Sequence, residues 1–134
     1  MDQFNHKALD LNKQKDLVFT AFSKHLFYYR MFISKYVLEQ GKVPLNPFMI
    51  FDYFLLDSIE RDLIREGNNN LVKRADELWV FGSVSDGVLA EIKIAKDMEK
   101  SILYFKIEKS KEIIPIANEE VEMEEDVEEF KQAL

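Results

Sequence analysis

The chain has 134 residues, 47% hydrophobic and 13% aromatic, with no cysteine and two histidines. That is enough apolar material for one domain around one core and excludes global disorder, while the lack of cysteine excludes disulfides, cysteine nucleophiles and thiolate metal sites. The net charge of −7 is carried by residues 119–134, which hold eight acids and one lysine, so the other 118 residues balance to zero and offer no basic cluster for a nucleic acid.

No apolar run approaches the roughly 20 residues needed to span a bilayer, and the polar start MDQFNHKALDLNKQKD lacks the apolar centre of a secretion signal. A soluble, cytoplasmic protein without membrane or nucleic-acid partners is expected. His6 and His25 are too few for a histidine metal cluster, so neither a metal nor a cofactor is expected.

Residues 1–15 read as a flexible lead-in, residues 16–117 as the folded domain, and residues 118–134 as an acidic tail. The run Leu17–Phe22 is short, apolar and partly β-branched, which suits a buried central strand. Leu26, Tyr29, Ile33 and Val37 then recur at helical spacing, predicting a helix over 24–40 that Gly41 stops. Val43-Pro44-Leu45 is a second short strand, which Pro47 closes or follows by opening a helix. Phe48, Met49, Phe51 and Tyr53 lie in an aromatic-rich stretch that forms either a lid over a ligand or a subunit contact. A charged helix runs from Ser58 towards Arg74, with Gly67 and Asn68-Asn69-Asn70 either breaking it with a turn or lying inside it.

The most informative stretch is Ala75–Ile92, ADELWVFGSVSDGVLAEI. The apolar run Leu78–Phe81 ends at Gly82, and a polar turn opens a segment with apolar spacing at Val88, Ile92 and Ala95. This is the strand–loop–helix unit that places ligands at the carboxyl edge of an open α/β sheet. Trp79 in that strand is expected to pack against a helix layer. Glu91, three residues after Val88 and four before Ala95, shares the inward stripe, where packing does not require a carboxylate. It is a candidate reacting group. Against this stands the ordinary fate of a helix glutamate, solvated or paired with Lys93 or Lys96. Ser85 is placed to cap the helix.

Ser101–Ile107 is a fourth strand, and Glu112–Ile116 is expected beside it as an edge strand, with Pro115 on the open side. The alternation predicts a Rossmann-like (flavodoxin-like) three-layer α/β sandwich on a mostly parallel sheet of four to five strands. In the tail, Met123, Val127, Phe130 and Leu134 fall at steps of four, three and four, a helical stripe with Val121 off it. Eight mutually repelling carboxylates favour a solvated tail, whereas the stripe favours a helix docked on its own domain or a neighbouring subunit.

The segments LEQGKVPLNPF, ADELWVFG, SDGVLAEIKIAK and ILYF together resemble the nucleoside 2-deoxyribosyltransferase-like superfamily, over roughly residues 17–107. That superfamily includes deoxynucleoside 5′-monophosphate N-glycosidases. The most specific element is Ser85-x-Gly87-x-x-x-Glu91. The resemblance implies that Glu91 attacks C1′ of the sugar to form a covalent glycosyl-enzyme, resolved by water or a second base. It implies substrate contacts at Ser85, Asp86, Gly87, Asn68 and Ser23. Gly87 would let the backbone approach the sugar, and Ser85, beside free N–H groups at a helix start, would suit a 5′-phosphate. Asn68 stands eight positions before Asp76, where catalytic relatives carry an acid, and an amide cannot supply a proton at neutral pH. The first loop, Ala21-Phe22-Ser23-Lys24-His25, also departs from relatives in lacking glycine. Lys24 and His25 there either meet a phosphate or face water, and Tyr28, Tyr29 and Arg30 either flank a ligand or serve the core.

Two nucleotide-handling functions follow as expectations, beside a third possibility, an oligomeric interaction protein whose acidic tail contacts a partner. One is an N-glycosidic-bond enzyme, a base-exchanging transferase or a nucleoside 5′-monophosphate N-glycohydrolase. The other is a catalytically silent nucleotide-binding protein. Both take a nucleoside or nucleotide ligand, and a homo-oligomer, dimer or higher, is expected.

Overall fold

The computed structural model describes residues 3–109 and 112–134, apart from the side chains of residues 53 and 54. The lid or contact role considered for Tyr53 therefore lies outside the described residues. Five strands form one sheet among those residues: β1 (Leu17–Phe22), β2 (Val43–Leu45), β3 (Glu77–Phe81), β4 (Ser101–Glu108) and β5 (Glu112–Ile116). Their order is β2-β1-β3-β4-β5, parallel throughout except for the antiparallel β4–β5 pair. All five strands lie where the apolar runs predict them. Pro115 sits on the edge strand β5, where a missing N–H can be tolerated.

The helices are α1 (Arg30–Glu39), α2 (Pro47–Ile50), α3 (Tyr53–Ser58), α4 (Arg61–Arg74) and α5 (Asp86–Asp97). From β1 the chain steps sideways to β2, then reverses to reach β3 and continues to β4. Right-handed crossovers then require α1 on one face and α4 and α5 on the other. The core divides accordingly. Val18, Phe22, Trp79, Phe81 and Phe105 pack with Ile33 and Val37 of α1. Phe19, Ala21, Leu78 and Val80 pack with Val72 of α4 and with Val88, Ile92 and Ala95 of α5. Strand residues alternate between the two clusters because the side-chain period of a strand is two. Trp79 packs on Phe105 at 5.0 Å and beside Tyr36 of α1, as expected for a residue facing a helix layer.

Three expectations about the helices change. The helix predicted over 24–40 begins as a 3-10 turn, Lys24–Tyr29, and becomes α-helical only at Arg30; it ends at Glu39, before Gly41 with φ of +80°. The predicted charged helix starts at Arg61 rather than Ser58 and runs unbroken through Gly67 and the three asparagines. A Cβ at Gly67 would approach the Phe51 ring to 3.1 Å, so the glycine serves close packing rather than a turn. Phe48 is no lid: its ring packs on Phe22 at 4.8 Å and on Phe27 at 5.8 Å.

The C-terminal segment is not a solvated tail. Val121, Val127 and Leu134 are buried, Val121 and Leu134 against the α4/α5 face, and Met123 bridges in parallel to Val84. Nor is it the α-helix that the 4-3-4 stripe suggests. Residues around Met123 are extended to reach Val84, and Glu125–Ala133 form 3-10 turns with a kink at Phe130. A 3-10 helix has three residues per turn, so the stripe loses its alignment, and Phe130 faces solvent. No helix among the described residues is long and apolar enough to cross a membrane.

Candidate active site at the switch point

Because β1 and β3 lie side by side while their crossovers run in opposite directions, a crevice opens at their carboxyl ends, the place where open α/β sheets bind ligands. A cavity of about 330 Å³ occupies it, lined by Ser23, His25, Leu26, Ser83, Glu124 and Glu125. Ser23 follows β1 directly and is buried; its hydroxyl caps the 3-10 turn by accepting from the His25 N–H at 3.3 Å. The same hydroxyl lies 3.2 Å from His25 Nδ1, which is 3.3 Å from Glu124 Oε2. Gly82 ends β3 with φ of +76°, and a Cβ there would collide with Leu26, so glycine lets the loop after β1 close over the strand end.

Glu91 lies on α5, where it faces α4. It is half-buried, and Asn68 Nδ2 donates to its Oε2 at 2.7 Å. The continuity of α4 through residues 67–70 brings that amide opposite the carboxylate. Lys93 pairs instead with Asp97, at 2.9 Å, so Glu91 is neither fully solvated nor lysine-paired. The residue keeps some surface, but its carboxyl is closely surrounded. Desolvation pushes its pKa up to about 7, and the hydrogen bond from Asn68 only partly offsets this. A carboxyl poised near neutrality can exchange charge states during a reaction at physiological pH.

This placement has a consequence for stability. The folded pKa of about 7 lies above the ordinary 4.5, so between these values the folded state binds more protons than the unfolded state. Stability contributed by neutral Glu91 is complete below pH 4.5 and is lost as pH rises towards 7, by about 3 kcal/mol across the window. Urea titrations at pH 5 and pH 8 should show this fall, and Glu91→Gln should remove that part of the pH dependence.

The other sequence-derived candidates sit at the start of α5. Ser85 is the N-cap, accepting from the Val88 N–H at 3.3 Å, and Asp86 Oδ1 accepts from the Gly87 N–H at 2.7 Å. Both N–H groups are thus satisfied from within the helix, which leaves fewer of the free donors that made Ser85 attractive for a phosphate. A Cβ at Gly87 would meet nothing within 4 Å, so the fold does not require glycine there. The structure brings Asn68 and Glu91 together and puts Ser23 in the cavity wall; Ser85, Asp86, Gly87, Asn68 and Glu91 do not line that cavity. Tyr28 projects into solvent, Tyr29 joins the core, and Arg30 stacks 3.9 Å over Phe27.

Sequence reasoning missed Ser83, Glu124 and Glu125. Ser83 follows the glycine that ends β3 and was legible as a strand-end residue. The glutamates belong to a distant acidic run with no local sign of where it docks. A larger depression of about 620 Å³, lined by Lys96, Lys100, Tyr104 and Leu134 among others, lies away from the carboxyl ends of β1 and β3 and contains none of the candidate residues. The switch-point crevice is therefore the better candidate despite its smaller volume. Among the described residues no group of three or more histidine, aspartate or glutamate side chains is arranged to hold a metal ion.

The fold is similar to that of the 2-desoxiribosyltransferase from Leishmania mexicana, with a TM-score of 0.53 and 18% identity over 69% of this chain; the chain spans 65% of that protein's length. No curated protein matches the chain. Residues 21–105 match the family described as Domain of unknown function (DUF7768). That match covers more than half of the sequence, and the chain belongs to the DUF7768 family.

Proposed function

We propose that this protein is an N-glycosidic-bond enzyme of the 2-deoxyribosyltransferase or nucleoside 5′-monophosphate N-glycohydrolase type, with Glu91 as nucleophile. The observation that carries this reading is a desolvated carboxyl on the inward stripe of the helix that follows the switch-point strand, with Asn68 as its hydrogen-bond partner. In the proposed reaction the ionised Glu91 attacks C1′ while the C1′–N bond breaks and the base leaves, taking its proton from solvent. Water or a second base then attacks C1′ and frees the carboxylate. Asn68 orients the carboxylate and holds part of its charge. Gly87, with open space beside its Cα, leaves room for the sugar. Ser23 and Ser83 supply hydroxyls at the crevice.

One observation favours a second reading, a binding protein without turnover. The group beside Glu91 is an amide, which cannot protonate a leaving base. Incubating a panel of nucleosides and 5′-monophosphates with the protein decides between them. Release of free base supports the enzyme, whereas ligand recovered intact after denaturation supports the binder. Absence of both products and bound ligand contradicts both.

We further propose self-association as a dimer or higher oligomer through α1 and α2, where Met31, Phe32, Leu38, Met49 and Ile50 are exposed. Sedimentation of the full chain tests this; a monomer at every concentration would refute it.

A further inference from the structure

The switch-point cavity has a wall that its own strands do not supply. Glu124 and Glu125 come from the C-terminal segment, which is a fixed part of the fold: the Glu124 N–H donates to the Val84 carbonyl at 2.8 Å, and Val121 and Val127 are buried on either side. The Glu124 carboxylate is brought against His25, the one histidine in the cavity, so that ring is already engaged by an internal anion. The remaining polar lining, Ser23 and Ser83, is uncharged.

We propose that Glu124, supported by Glu125, sets the ligand class of this cavity: it accepts an uncharged, hydroxyl-bearing sugar end and rejects a phosphorylated one. The proposal rests on the N-glycosidic reading above, with the Ser23 and Ser83 hydroxyls of the crevice taken to meet the sugar end of the ligand, and it chooses nucleosides over 5′-monophosphates within that reading. A sugar hydroxyl can donate to the Glu124 carboxylate, and Ser23 and Ser83 can donate or accept in return. A phosphate dianion would instead stand beside two carboxylates in a part-buried crevice. There, like charges a few ångström apart lower affinity by at least about tenfold.

The test uses the full chain carrying Glu91→Gln to prevent turnover, with and without Glu124→Gln. Glutamine keeps the size of the side chain and leaves the backbone bridge to Val84 intact. Glu125→Gln alone serves as a second variant should Glu124→Gln fold poorly. Ser23, His25 and Ser83 resonances are followed by NMR while inorganic phosphate, a nucleoside and its 5′-monophosphate are titrated separately. The expected result is that phosphate binds the Glu124→Gln protein at least about tenfold more tightly than its parent, and that the parent prefers the nucleoside to its monophosphate. Equal phosphate affinity in parent and variant overturns the proposal, as does a parent that prefers the monophosphate. If phosphate affinity rises as expected but no nucleoside perturbs the crevice, the rejection of phosphate stands and the acceptance of a sugar end is overturned, while base release by the unsubstituted protein tests the N-glycosidic reading separately.

Discussion

Glu91→Gln is expected to lower turnover by at least about a thousandfold while the protein stays folded. The amide oxygen of glutamine can still accept the hydrogen bond from Asn68, so the α4–α5 contact survives. What is lost is the proposed nucleophile, since a neutral amide cannot form the glycosyl ester. The substitution also removes the cost of ionising a desolvated carboxyl, so above pH 7 the variant should be at least as stable as the parent. Steady-state assays of base release beside a urea titration separate these effects. Lost activity with retained stability is the expected pair. Retained activity excludes the covalent mechanism, and lost activity with lost stability shows that Glu91 is chiefly a packing residue.

Phe81→Ala is expected to destabilise the protein by about 3–5 kcal/mol. Phe81 is fully buried at the end of β3, stacked on Phe105 with ring centroids 4.9 Å apart and an interplanar angle of 15°, and held edge-on by Tyr36 of α1. It pairs with Phe22 on one side and with Phe105 on the other, so three strands converge on this ring cluster. Truncation would leave a void between sheet and α1 that neighbouring aromatics cannot fill without leaving their own contacts. For a domain of this size such a loss is a large share of the total stability. Phe81 also precedes Gly82, so the crevice should loosen with it. Chemical denaturation measures the effect directly; a loss under about 1 kcal/mol would show that the cluster repacks.

The contrast between these two positions shows what local pattern can carry. Phe81 was legible because a fully buried parallel strand writes itself as an apolar run, and Leu17–Phe22 was legible for the same reason, whereas Ser101–Ile107, buried only at Tyr104 and Phe105, showed through its central Ile-Leu-Tyr-Phe stretch. Glu91 was legible as an anomaly, a carboxylate on a stripe otherwise made of Val88, Ile92 and Ala95. Its partner was less so: Asn68 lies 23 residues away on another helix, and was reached through the family resemblance rather than from any spacing within the chain. The 3-10 start at Lys24–Tyr29 was missed because apolar spacing does not distinguish three residues per turn from 3.6 over so short a stretch. The contact between His25 and Glu124 spans 99 residues and joins a loop to a segment whose charge suggested solvent. The burial of Val121 and Val127 and the backbone bridge to Val84, both set by the tertiary fold, place those glutamates at the crevice. The strands and the candidate reacting group were therefore local signals, and the electrostatic character of the pocket was not.

With Glu91 as the proposed nucleophile, its carboxylate becomes covalently attached to a sugar during turnover. The direct measurement is intact-mass analysis of protein quenched in acid while it turns over a nucleoside, followed by peptide mapping. The expected result is a mass increase equal to one glycosyl group, confined to the peptide containing Glu91 and absent from Glu91→Gln. Base release without any adduct, or an adduct on a different peptide, would contradict it.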